Sequence, residues 1–126
     1  MYVDSSVILD LVFGEGKVNS HDLSNDAKKY TSRLTQVEAM RTTMKQFPKF
    51  ASLAAKILMQ FEFVEMTEQI LNHATFYPHE ISLKSSDAIH MATAEHLLDV
   101  DDVLLTYDKQ MAINAKRLGL KVASSL

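Results

Sequence analysis

The chain has 126 residues, 47% of them hydrophobic, with no cysteine and a formal net charge of −3. That length suits one hydrophobic core and is too short for two ordinary domains, so a single domain over residues 1–126 is expected. Disulfides and thiolate metal sites are excluded. No run approaches the roughly 18 apolar residues of a membrane span, and no basic-then-apolar leader opens the chain, which together suggest a cytoplasmic protein with no membrane partner.

The charge is unevenly spread. Residues 17–56 hold eight basic and three acidic residues, a net of +5, whereas residues 57–126 net −5 and residues 1–16 net −3. A balance this acidic argues against a nonspecific nucleic-acid binder, but the basic stretch is equally compatible with a solvated helical surface and with a phosphate-facing patch.

In chain order, Met1-Tyr2-Val3 is short, apolar and β-prone, and runs into Asp4-Ser5-Ser6. Val7, Ile8, Leu11 and Val12 then mark the buried face of a helix that Gly14 to Gly16 should stop. A short exposed helix from about Ser20 follows, and Tyr30 to Arg33 reads as a brief strand or a connection. Thr35-Gln36-Val37-Glu38 has the form of a capping box opening a helix that ends at Pro48, and Phe50, Leu53, Ala54, Ile57 and Leu58 share the face of another. Phe61 to Met66 reads as a strand and Thr67 to Ala74 as a short helix. Ser85 or Ser86 should cap a helix carrying Asp87 in its first turn, where the helix dipole favours a carboxylate by roughly 0.3–1 kcal/mol. Asp102 to Tyr107 reads as a buried strand ending on Asp108. The last helix carries Met111, Ala112, Ala115 and Leu118, Gly119 closes it, and Leu120 to Ala123 forms a final strand.

Apolar strands alternating with helices imply an α/β fold: a central parallel sheet of about four to five short strands with helices on both faces and right-handed connections. In such sheets ligands bind beyond the carboxyl ends of the strands. Asp4 and Asp108 end strands, while Glu38 and Asp87 fall near helix starts, so four carboxylates are expected to converge on that edge. Two like charges roughly 4 Å apart repel by about 4 kcal/mol at an effective dielectric near 20, so such a group must be partly protonated or hold a cation. With oxygen ligands only, Mg²⁺ or Mn²⁺ is the fitting ion and phosphodiester hydrolysis the natural reaction. Each acid also has a plainer use. Glu38 could complete the capping box and Asp108 could cap the last helix, and both uses are compatible with metal binding. His90, one helical turn from Asp87, is expected to be packed or hydrogen-bonded and is left out of the ligand set.

Four stretches together resemble the PIN-domain ribonucleases, and within them the VapC toxins of VapBC toxin–antitoxin modules. They are Tyr2-Val3-Asp4-Ser5-Ser6-Val7, Ser32-Arg33-Leu34-Thr35-Gln36-Val37-Glu38, Ser86-Asp87-Ala88-Ile89-His90-Met91-Ala92-Thr93-Ala94 and Leu105-Thr106-Tyr107-Asp108; residues 42–84 match only in pattern. The resemblance implies a PIN domain acting as a Mg²⁺-dependent endoribonuclease, with Mn²⁺ as a substitute. It carries Asp4, Glu38, Asp87 and Asp108 over as the catalytic and metal-binding acids. Ser5 and Thr106 resemble hydroxyls that support the acids or face substrate, and the basic stretch adds Arg33 and Arg41 as substrate contacts. The family further implies a homodimer, a cognate antitoxin whose tail blocks the acidic pocket, and tRNA or ribosomal RNA as target. Two other readings remain open: a phosphatase using Asp4 as nucleophile, disfavoured by Ser6 where a second acid is wanted, and a catalytically silent PIN-fold binding module whose acids only cap helices.

Overall fold

In β1 (Tyr2–Val3) and β4 (Val103–Leu105), neighbouring residues point to opposite faces of one sheet, so each short strand feeds two cores. The computed structural model describes residues 1–14 and 28–123. With β2 (Tyr30–Ser32), β3 (Glu62–Val64) and β5 (Lys121–Ala123) the strands form one five-stranded sheet in the order β3-β2-β1-β4-β5, every pairing parallel. Both core strands are buried on both faces, as parallel sheets require.

On one face Val3 and Leu105 pack with Val7 and Ile8 of α1 (Ser5–Phe13), Ala39 of α2 (Arg33–Gln46), Leu58 of α3 (Ala51–Leu58), and Phe61. On the other, Tyr2 and Leu104 pack with Met91 and Ala94 of α5 (Ser85–Leu97) and Met111 and Ala115 of α6 (Lys109–Arg117). The remaining helix, α4 (Glu68–Thr75), is capped by Thr67 and lies against α5. Pro48 opens a single 3₁₀ turn, Pro48–Phe50, between α2 and α3. Among the described residues no helix is long and apolar enough to cross a membrane. The helix expected from Ser20 lies outside the described residues.

Two helix starts differ from the sequence reading. α2 begins at Arg33, capped by Ser32 through the Leu34 N–H, so Thr35 does not open a capping box. Thr35 is instead fully buried, its hydroxyl 2.7 Å from that of Thr31, which also bonds the Val3 carbonyl. Glu38 therefore sits in the second turn and is not engaged as a cap. α5 begins at Ser85 with Lys84 in the cap position and no side-chain cap. The loop entering α5 is held from outside the helix: the Asn114 amide donates to the Ser82 carbonyl at 2.9 Å, and Arg117 donates to the Glu80 carbonyl at 3.2 Å.

The chain visits β2 and β3 on one side of β1, then crosses to β4 on the other. The strand order thus reverses between β1 and β4, and the Asp4 N–H donates to the Leu105 carbonyl at 3.2 Å across that point. A switch of this kind opens a crevice at the carboxyl ends of the two strands.

Candidate active site

Asp4 leaves β1 and caps α1: its Oδ1 accepts from the Ser6 N–H at 3.1 Å and the Ser6 hydroxyl at 2.5 Å. Its Oδ2 accepts from the Thr106 hydroxyl just beyond β4. Burial raises the Asp4 carboxyl above the usual range, and the Ser6 and Thr106 hydrogen bonds oppose that rise without cancelling it. Asp108 caps α6, its Oδ1 accepting from the Met111 N–H at 2.9 Å. The helix-cap use expected of Asp108 is therefore realised, and Asp4 caps a helix as well.

Asp87, in the first turn of α5, is half-buried, and its carboxyl is also raised. Burial contributes most, then the charge of Asp108, with smaller contributions from Asp4 and Glu38; His90 opposes them. The charges of Asp108, Asp4 and Glu38 thus all reach Asp87. Among the described residues, however, no three acidic or histidine side chains stand close enough to make a ready-formed ligand set. The donor chemistry fits a hard divalent cation: carboxylate oxygens only, with like charge held together at a partly desolvated strand edge.

The hydroxyls divide unevenly. Thr106 touches Asp4 and also accepts from the Asp108 N–H at 3.1 Å. Ser5 makes no hydrogen bond to the acids, and Ser6 takes the position expected for it, also accepting from the Tyr107 N–H at 3.1 Å. An aspartate at the N-cap accepts from the residue two places on, and that pattern could have singled out Ser6.

Arg33 turns away from the acids: its Nε and Nη2 donate to Glu65 Oε1 at 2.9 and 2.7 Å, and its guanidinium lies over Phe63 at 4.5 Å from the ring centre. Arg41 is exposed on α2. An open groove of about 480 Å³ runs from Ser6, Tyr107 and Asp108 past Asp10 and Phe13 to Thr42 and Gln46 of α2, and the last two border Arg41 and Lys45 as well. A larger cavity, about 600 Å³, lies between α4 and the loop before α5 and contains none of the four acids.

His90 was expected to be satisfied within the fold, and it is. Buried at 1% exposure, it places Nδ1 2.6 Å from the Tyr2 hydroxyl and Nε2 2.7 Å from Glu38 Oε1. Glu95 of α5 is half-buried; it accepts from the Tyr77 hydroxyl at 2.5 Å and lies 3.5 Å from His73.

Comparison with known proteins agrees with this architecture. The family model described as "PIN domain" matches residues 1–117. The chain is 30% identical over 132 residues to the Mycobacterium tuberculosis protein named Ribonuclease VapC35, covering 98% of this chain and 96% of the relative. It is also 30% identical over 125 residues to Ribonuclease VapC46 of the same species, covering 97% and 95%. A chain of a toxin–antitoxin complex from Klebsiella pneumoniae superposes with a TM-score of 0.77 at 23% identity, over 99% of this chain and 97% of that one, a likeness of fold. The chain belongs to the PIN-domain family and, within it, to the VapC-type ribonucleases.

Proposed function

We propose that this protein is a divalent-cation-dependent endoribonuclease, the toxin of a two-protein toxin–antitoxin module, acting in the cytoplasm on tRNA or ribosomal RNA. The observation that carries the reading is the Asp87 carboxyl. It is pushed up by burial and by the charges of Asp108, Asp4 and Glu38, at the strand edge where this fold opens its crevice. Such a set is relieved by a cation, and Asp4, Glu38, Asp87 and Asp108 are the residues that would hold it.

When bound, Mg²⁺ or Mn²⁺ supplies positive charge that acidifies an attacking water and stabilises the leaving oxygen of a phosphodiester. The protein's part is orientation. Ser6 and Thr106 fix both oxygens of Asp4, the α6 N-terminus fixes Asp108, and His90 holds one oxygen of Glu38. Arg41 and Lys45 line a second open pocket that shares Thr42 and Gln46 with the groove holding Asp108, and they suit contact with an RNA backbone. The VapC-type relatives and the toxin–antitoxin complex with this fold support a cognate antitoxin as partner. A homodimer is proposed from the family alone.

The silent binding module is favoured by one observation: Asp4 and Asp108 do serve as helix caps, which needs no cation. Cleavage of total bacterial RNA by the purified protein, with Mg²⁺ or Mn²⁺, beside EDTA and Asp87→Asn, decides between them. Discrete cuts that need both the cation and Asp87 establish the nuclease and, once fragment ends are sequenced, its target. No cleavage together with no saturable Mn²⁺ site leaves the binding module.

A further inference from the structure

His90 is the polar interruption in an otherwise apolar stretch of α5, buried as Ala88, Met91 and Ala92 around it in sequence are, and it joins three elements far apart in sequence. Its Nδ1 meets Tyr2 of β1 and its Nε2 meets Glu38 of α2. We infer that His90, steadied by the Tyr2 hydroxyl, is a positioning residue that orients the Glu38 carboxylate toward the cation. This rests on the ribonuclease reading above and adds two residues to it.

The donor assignment follows from the partners. A carboxylate oxygen only accepts, so the bond to Glu38 requires hydrogen on Nε2 whatever the state of Nδ1. The Tyr2 hydroxyl lies 2.6 Å from Nδ1 and, like any tyrosine at neutral pH, carries a proton it can donate there. That bond selects the Nε2–H tautomer, and the imidazole, buried and bonded at both nitrogens, then presents a donor to Glu38 Oε1. Among the described residues Glu38 Oε2 has no hydrogen-bond partner, which leaves it for a cation. The arrangement has the logic of an outer hydrogen-bond shell that aims a metal ligand, whose loss typically costs about 10–100-fold in metal affinity or activity.

A merely structural histidine would look the same in a static structure, but not under paired substitution. The Glu38 side chain is 27% exposed, so water can replace the histidine bond, and what is lost is direction rather than the satisfaction of a buried charge. His90→Gln places an amide nitrogen near the Nε2 position and can still donate to Glu38. His90→Asn reaches only the Nδ1 position and can serve Tyr2 but not Glu38.

The experiment measures Mn²⁺ affinity by calorimetry, RNA cleavage, and thermal unfolding for the wild type, His90→Gln, His90→Asn and Tyr2→Phe. His90→Asn should weaken Mn²⁺ binding and cleavage by about 10–100-fold, His90→Gln should recover most of the loss, and Tyr2→Phe should fall between them. If His90→Asn, folded, binds Mn²⁺ as the wild type does, the positioning role is overturned while the nuclease reading stands. If the wild type itself has no saturable Mn²⁺ site, the nuclease reading falls with it. Should His90→Asn not fold, long-range ¹H–¹⁵N spectra of the wild type remain decisive: Nε2 must carry hydrogen, and the His90 ring signals must move on Mg²⁺ titration. Unmoved signals at saturating Mg²⁺ overturn the inference.

Discussion

The Thr106 hydroxyl ties two of the four acids together, donating to Asp4 Oδ2 while accepting the backbone N–H of Asp108. It bridges the ends of β1 and β4 at the point where the strand order reverses, and it is fully buried. Thr106→Val keeps the shape and removes the bridge, leaving a buried carboxylate oxygen and a backbone N–H without their partner. The expected cost is about 1–3 kcal/mol in denaturant unfolding. Cleavage should fall about tenfold or more, because Asp4 loses its aim and one of the bonds that favour its charged form. Thr106→Ser should restore both, and a Val variant as active as the wild type would remove Thr106 from the site.

Adjacent serines should behave differently. Ser6 donates to Asp4 Oδ1 and accepts from the Tyr107 N–H, whereas Ser5, the first residue of α1, makes no hydrogen bond to any of the four acids. Ser6→Ala should lower RNA cleavage by about 10–100-fold and Ser5→Ala by much less, measured side by side at saturating Mn²⁺. Equal losses would contradict the assignment of Ser6.

Much of this was legible because parallel strands buried on both faces read as apolar runs. Tyr2-Val3 and Val103 to Leu105 identified themselves, and with them the acids that follow. The choice between Ser5 and Ser6 was harder, since it depends on one residue of helix phase. The start of α2 was misread because Thr35 and Glu38 mimic a capping box. Ser32 caps three residues earlier, and the Thr31 hydroxyl draws Thr35 into the core. Nothing local marks the start of α5, whose entry loop is held by Asn114 and Arg117 from α6. The His90 partners, 88 and 52 residues away in sequence, are products of tertiary packing alone.

Asp87 makes stability depend on pH in a particular direction. Its carboxyl is raised in the folded protein by burial and by Asp108, so folding favours its protonated form. Below an unfolded value near 3.9 it is neutral in both states and costs nothing; as pH rises through the raised folded value, that stability is lost. In EDTA at pH 7, Asp87→Asn should therefore melt higher than the wild type by a few degrees at most, the effect being small because the group is half exposed. The difference should vanish near pH 3.5. Millimolar Mn²⁺ should reverse the order at pH 7, since the wild type gains binding free energy that the variant lacks. Thermal melts across pH with and without Mn²⁺ measure all three, and a variant that melts lower in EDTA at pH 7 would contradict the electrostatic account.

The two arginines nominated as substrate contacts should separate. Arg33 is already committed to Glu65 and to the Phe63 ring, an exposed arrangement worth about 0–1 kcal/mol, so Arg33→Ala should change stability slightly and leave the KM for RNA nearly unaltered. Arg41 is exposed beside Lys45, bordering the Thr42 and Gln46 end of the groove that reaches Asp108. An RNA strand leaving the acids along that groove would place a phosphate near it. Arg41→Ala should raise KM several-fold at constant kcat and reduce the slope of log KM against log salt by about one, the signature of one lost phosphate contact. Cleavage kinetics between 50 and 200 mM KCl give both numbers. If Arg33→Ala raises KM as much as Arg41→Ala does, the RNA leaves by the β3 edge and the groove is not its path.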